Sequence, residues 1–418
     1  MKNSRNSMIT MMTALFSHAT KVISICLFLL TVTDWKAKNI LILGILIYLI
    51  AMTISVLTWF FTTFYLEDDT FYYKRGILIK REDKIRLDKI LGVDLEESLI
   101  QRLFGLKAVK IDIGATDQIS DIRIILQTNK SIQLRQRLLS QKEEIEKIDS
   151  STLIYHLGFK ELIKFSLIKI GWFDVVLSLI TLIFFTNEIN LKETLMNLNL
   201  SITFVVLLAL TLIVTIIKAI KISNEYFDFK VRKYDHLLEI SSGFINRKVY
   251  SLNTEKTCSI KTTQNIFQRM TNQVTVSISA LGYQDNKENN AIIFPSIDIE
   301  RANDMMKHLF PHFSISKDEI FNIHPKYKLK HRYYHFGYNK NILYLKGGLL
   351  KKKTNIICLQ SIEDILYKQY SFQKKYHIAK LKVNYKGRKI GDICAIKGVD
   401  TSHIKNLIDL ISEDDRPA

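Results

Sequence analysis

EESLIQRLFGLKAVKIDI, residues Glu96–Ile113, returns in altered form as TTQNIFQRMTNQVTVSIS (Thr262–Ser279) and as YKQYSFQKKYHIAKLKVN (Tyr367–Asn384). The three stretches align without gaps. Val109, Val276 and Leu381 share one position, and Ile111, Ile278 and Val383 share the one two residues on, the alternation of a strand. Upstream of each lies a glycine that ends an apolar/polar run and is followed by basic residues. The spacing is constant: Gly76 to Gln101, Gly243 to Gln268 and Gly348 to Gln373 are each 25 residues. A β unit written three times at fixed spacing predicts three copies of one small domain.

Working outward, the chain has 418 residues, is 47% hydrophobic and 24% charged, and carries a net charge of +18. The apolar residues are concentrated. Ile40–Phe64 and Thr194–Ile217 are 25 and 24 residues without a charge. At ~1.5 Å per helical residue each exceeds a ~30 Å hydrocarbon core. Weaker apolar segments, Ala14–Trp35 and Leu162–Phe185, precede them, so two helical hairpins and four transmembrane helices are expected. Lys21, Lys164 and Lys169 lie near helix ends, where long side chains reach the interface. A signal peptide is the rival reading of the N-terminus, but TVTDW at Thr31–Trp35 offers no small-residue cleavage site. Basic residues flank the hairpins on the side of the β repeats, which predicts both termini and all three repeats in the cytoplasm. The four cysteines show neither a disulfide framework nor a zinc spacing.

The expected boundaries are a membrane hairpin at 1–64, a first repeat at 65–158, a second hairpin at 159–222, and further repeats at 223–313 and 322–418. Each repeat reads as short antiparallel strands closed by one helix, an α+β unit. In the first, strands are expected at Ala108–Ile113, Asp121–Gln127 and Lys130–Leu134, and the helix at Ser140–Asp149. In the second, the helix is expected at Ile299–Leu309 with Ser296 or Asp298 as cap. In the third it is expected at Ser402–Ile411.

The run Ser98, Gln101, Arg102, Leu103, Phe104, Gly105 and Leu106, after a hydrophobic hairpin and a Gly-basic β-hairpin, resembles the bacterial pleckstrin-homology-like domain proteins of the former DUF304 group. The order of two hairpins and three domains resembles the YdbT-type membrane proteins. The motif is eroded at Gln268-Arg269-Met270 and further at Gln373-Lys374-Lys375. The resemblance implies a bent, seven-stranded antiparallel sheet closed by a C-terminal helix in each domain. It also implies no established catalytic residues, and a general link to envelope stress and resistance to membrane-active peptides, including bacteriocins.

No enzymatic motif appears, and no cofactor or metal is expected. His331 and His335 stand four apart, but no third ligand is near. Cys358 and Cys394 read as strand residues. The repeated glutamines fit a backbone hydrogen bond at a turn or, alternatively, a ligand contact. Asp174, inside a membrane segment, fits a relay in a transporter or a local ion pair. The charge is uneven: Lys326–Asp400 holds 18 Lys and Arg against 4 Asp and Glu. Lys346, Lys351, Lys352 and Lys353 cluster at the first β-hairpin of the third repeat, and Lys374, Lys375, Arg388 and Lys389 at other turns. Basic turns beside a membrane suit anionic headgroups; solvated loops are the plain alternative, and nucleic acid is disfavoured by the tether. The expectation is a non-enzymatic membrane scaffold. Its partners would be anionic lipid and a protein, either a small membrane protein of the same fold or a second copy of the chain.

Overall fold

The computed structural model describes residues 4–32, 36–113, 122–139, 152–169, 198–281, 290–326, 331–386 and 394–414. They form a mixed α+β fold of two compact units, Met1–Ile148 and Asp149–Ala418.

In the first unit, strand β1 (Ser4–Arg5) leads into two long helices, α1 (Met8–Val32) and α2 (Ala37–Phe61). Both are 25 residues, long and apolar enough to cross a bilayer. The chain then returns through β2 (Thr63–Glu67), β3 (Thr70–Arg75) and β4 (Arg81–Arg86). The order in this sheet is β1-β2-β3-β4, with Ser4 opposite Phe64. The helical pair is therefore inserted between the first and second strands. The turn after Glu67 relies on Asp68 at φ 47°, a left-handed conformation that aspartate tolerates. Three more strands follow: β5 (Ile90–Glu97), β6 (Leu106–Ile113) and β7 (Ile122–Gln127), with helix α3 (Leu99–Leu103) after β5. Helix α4 (Thr128–Leu139) closes the unit.

Helix α4 corrects the sequence reading. Lys130–Leu134, expected as a strand, is helical. Ser131, Leu134 and Leu138 are buried at spacings of three and four along one face, and the apparent alternation around Ile132 is only a fragment of that period. The helix expected at Ser140–Asp149 lies outside the described residues. The uncharged run to Phe64 also ends as helix at Phe61, because Thr63 and Phe64 pair in β2.

The second unit opens with β8 (Thr152–His156), then helices α5 (Phe159–Lys169) and α6 (Leu198–Glu225). Strands β9 (Lys230–Tyr234), β10 (Leu237–Ser242) and β11 (Arg247–Asn253) follow. β8 pairs with β9, Thr152 opposite Lys233. A boundary at 158/159 would thus part β8 from its own sheet; as with β1, the first strand precedes a pair of helices. Next come β12 (Thr257–Gln264), α7 (Ile266–Met270), β13 (Gln273–Ala280), β14 (Ala291–Asp298) and α8 (Ile299–Leu309), capped by Asp298.

The chain continues through β15 (Ile320–Asn322), β16 (His335–Tyr338), β17 (Ile342–Gly347) and β18 (Lys352–Cys358). It ends with β19 (Ile362–Lys368), α9 (Ser371–Lys374), β20 (Ile378–Tyr385), β21 (Cys394–Asp400) and α10 (Thr401–Asp414). A boundary at 322 would cut β15.

Four strands, three strands and a helix thus follow one another from β1 to α4, from β8 to α8 and from β15 to α10. In none of the three groups do the seven strands make the one sheet that the resemblance implied: β1–β4 form a sheet without β5–β7, and β8–β11 lie in a different sheet from β12–β14. β15–β18 lie in the seven-stranded sheet β14-β13-β12-β18-β17-β16-β15, while β19-β20-β21 stand apart. The larger sheet is assembled from two groups through β12 and β18, with Ser259–Gln264 opposite Ile357–Lys352. Two cores lie under these sheets, one around Phe229, Ile240, Val276 and Phe294, the other around Phe336, Leu345, Leu381 and Leu407.

Candidate membrane-contact site

The three repeated glycines hold the same conformation, with φ of 112°, 105° and 114° at Gly76, Gly243 and Gly348. A Cβ there would come within 2.0, 2.1 and 1.9 Å of the carbonyl oxygens of Ile79, Asn246 and Lys351. Only glycine fits such a turn. Each tip projects the side chains that follow. Leu78 and Ile79 are 96% and 86% exposed, and Phe244, Ile245, Leu349 and Leu350 are also exposed. Basic residues flank them: Arg75 and Arg81, Arg247 and Lys248, and Lys346 and Lys351–Lys353.

The repeated glutamines are buried. Gln101 Oε1 accepts the backbone N–H of Ser98 at 2.9 Å, while Ser98 Oγ accepts the N–H of Gln101. Gln268 does the same for Asn265 at 3.0 Å and Gln373 for Tyr370 at 3.0 Å. At Ser98 and Asn265 the bond is reciprocal and two orphan donors at the start of the short helix are satisfied; at Tyr370 the Gln373 N–H goes to the backbone carbonyl instead. Each short helix then exposes apolar side chains: Ile100, Leu103 and Phe104 on α3, Phe267 and Met270 on α7, and Phe372 on α9 with Tyr370 and Tyr376 beside it. Arg102 faces Glu97 at 3.6 Å, and Gly105 ends α3 at φ 61°. Arg269 donates to the carbonyl of Leu349 at 2.9 Å, so α7 lies against the β17–β18 tip.

These tips sit where α2, α5 and α6 meet the sheets. Phe244 N–H donates to the carbonyl of Asn224 at 3.0 Å, and Ile245 N–H to Asn224 Oδ1 at 2.8 Å, one residue from the end of α6. Asn265 Nδ2 donates to the carbonyl of Ile168, near the end of α5, at 2.9 Å. In the first unit the register Thr63 opposite Lys74 sets Gly76 level with the end of α2.

Of the predicted basic residues, Lys346 is half-buried on β17. Burial, and then Lys352, push its amine below its ordinary value. His335, opposite Lys346, is pushed down by burial and then by Lys346, Lys352 and His331. A cation there is opposed, and an added anion would relieve it. Lys374 ends α9 and Lys375 caps it. Arg388, Lys389 and Asp174 lie outside the described residues, as does the side chain of Cys394. Sequence reasoning missed a second group. Lys368 lies opposite Lys380, and Lys380 opposite Lys397. Loss of solvent, then Lys382, Lys397 and Lys368, push the Lys380 amine down. Among the described residues no cluster of three metal-ligating side chains occurs. The recess between α1 and α2, lined by Val22, Cys26, Ile40, Gly44 and Tyr48 among others, holds no acid, amine or imidazole.

Residues 22–148 and 166–311 match the family described as Bacterial PH domain, well over half of the chain. This chain belongs to the bacterial PH domain family. It is similar to the UPF0699 transmembrane protein YdbT of Bacillus subtilis (strain 168), with 24% identity over 304 residues. That match covers 66% of this chain and 61% of the relative, so the chain spans less than two thirds of the relative's length. With α1 and α2, the relative marks this bacterial PH domain chain as a membrane protein. A solved structure, the H.pylori Beta clamp in complex with 5-chloroisatin, aligns over 71% of this chain and 75% of its own. Its 8% identity and TM-score of 0.09 carry no argument.

Proposed function

We propose that the chain is a non-enzymatic scaffold of three PH-like modules seated on the cytoplasmic leaflet, acting in envelope stress or resistance to membrane-active peptides. The observation that carries this reading is the place of the membrane helices. They are inserted between the first and second strands of a sheet, β1 and β2 in one module and β8 and β9 in the next. Such an insertion seats a module on the bilayer and leaves its far face for partners. The third module has only residues 323–334 between β15 and β16, and is held through β12 and β18. Its lysines, Lys346, Lys351–Lys353, Lys374 and Lys375, supply the positive charge that anionic headgroups attract, at ~1 kcal/mol each near the surface.

The test is lysine acetylation footprinting of the full chain in nanodiscs, with and without phosphatidylglycerol. Protection of Lys352, Lys353, Lys374 and Lys375 by the anionic lipid, released by salt, is expected. Equal reactivity in both discs would sink the headgroup contact. A deletion strain with unchanged susceptibility to membrane-active peptides would sink the physiological role.

A second reading, a partner-recruiting module, is favoured by β19. It is the counterpart of β12 in the strand order, and among the described residues no strand pairs with its outer edge. A strand of a PH-like partner or of a second copy would fit there as β18 fits β12.

A further inference from the structure

We infer that the third module inserts an apolar wedge, Leu349 and Leu350 with Phe267 and Met270 of α7, into the interfacial layer of the bilayer. The inference rests on the headgroup reading above and deepens it from a surface contact to an insertion.

The level of the wedge can be read from hydrogen bonds inside the second unit. The uncharged stretch of α6 ends at Ile217, and Ser223 Oγ lies 2.9 Å from Ser166 Oγ on α5. Ile168, two residues on, is then level with about residue 221, roughly 6 Å from the end of the uncharged stretch at ~1.5 Å per residue. Asn265, the cap of α7, is bonded to the carbonyl of Ile168. Arg269 bonds α7 to Leu349, and Gln264 lies opposite Lys352. The tip of the third module therefore stands at headgroup depth, although no membrane helix enters that module.

The side chains at that depth suit the place. Leu349, Leu350 and Met270 are exposed, Met270 at 79%. Large apolar side chains grouped on a surface mark a contact, and Lys and Arg around them are the composition of an interfacial element. Lys326, in the loop that replaces the membrane hairpin, sits 3.4 Å over the ring of Tyr376, which brings the aromatic group of α9 to the same end. The opposite ends of the sheets are unlike this. Their turns are Asp68-Asp69, Asp235-His236 and Asn339-Lys340-Asn341, with no large apolar side chain. One end is apolar and basic, the other polar, and the membrane helices leave from the first.

The experiment uses the full chain with its native cysteines replaced and an environment-sensitive fluorophore at Leu350→Cys, Met270→Cys or, as the opposite-end control, Lys340→Cys. The protein is reconstituted in phosphatidylcholine vesicles with and without phosphatidylglycerol. The expected result is a blue shift, loss of iodide quenching and gain of quenching by shallow doxyl lipids at 350 and 270, with none of these at 340. Equal iodide quenching at 350 and 340 overturns the wedge. Loss of iodide quenching without doxyl quenching overturns it too, and assigns the surface to a protein. Doxyl quenching at 350 that is indifferent to phosphatidylglycerol leaves the wedge standing and sinks the headgroup reading alone.

Discussion

The carbonyl oxygen of His377 accepts the backbone N–H of Thr401 at 2.8 Å, joining the residue just before β20 to the first residue of α10. The same bond links Gly105 to Thr128 at 3.0 Å and Asn272 to Ile299 at 3.1 Å. All three acceptors are left-handed, with φ of 61°, 54° and 51° at Gly105, Asn272 and His377. The closing helix of each group is thus started by the left-handed residue that turns the chain from its short helix into the next strand.

Left-handed backbone costs a residue with a Cβ about 1–2 kcal/mol, and glycine almost nothing. His377→Gly should therefore raise the thermal midpoint of the detergent-solubilised chain and Gly105→Ala lower it. No atom within 4 Å would obstruct the new Cβ at 105, so the loss there is one of backbone alone. Midpoints moving in the same direction would contradict this account.

The β-hairpin glycines should be far less tolerant. Gly348→Ala puts a methyl group against the Lys351 carbonyl and should cost more than about 1 kcal/mol. Denaturant unfolding reads the loss, and a variant as stable as the parent would show that the tip re-forms without left-handed backbone.

Gln373→Ala removes the acceptor for Tyr370 N–H and should cost about 1 kcal/mol. Gln268→Ala removes the acceptor for Asn265 N–H and the donor to Thr275 Oγ1 at 2.8 Å, and should cost more than about 1 kcal/mol. Denaturant unfolding reads both losses, and variants as stable as the parent would show that the caps do not need the glutamines.

Asp94 supplies a pH dependence. Burial pushes its carboxyl up to about 7; Lys110 and Arg135 oppose the shift, while Asp112 and Glu96 reinforce it. The folded chain holds this proton to higher pH than the unfolded chain does. The stability it contributes is therefore fully present below the ordinary carboxylate value, about 4, and is lost as pH rises through about 7. Asp94→Asn should flatten the fall in thermal midpoint across that window. An unchanged slope in the variant would assign the titration elsewhere.

Cys258 reports on the junction of β12 and β18. Burial, reinforced by Cys358, pushes its thiol up to about 11. A maleimide at neutral pH should label it only on unfolding. Labelling as fast as that of an exposed thiol would mean that the two strands part in the folded chain.

The spacing of glycine and glutamine was legible because backbone geometry demands it: a turn that admits only glycine and a short helix whose cap uses a buried glutamine keep their separation while their neighbours drift. Helix α8 was legible from Asp298 and the apolar period after it. The first strand of each sheet that is interrupted by a helical pair was not. Ser4 pairs with Phe64, and Thr152 with Lys233, and no local periodicity carries a pairing across an inserted pair of helices. The lysines at 368, 380 and 397 became neighbours only through strand register. The leucines at 349 and 350 were in plain view beside the lysines, but their exposure follows from the twist at Gly348.

The bonding of β12 to β18 has a mechanical consequence. Six residues of one strand are laced to six of the other, so the last two sheet groups cannot swing freely about the linker between α8 and β15. A displacement of β12 is therefore carried directly to β18 and to the lysines at its start, Lys352 and Lys353.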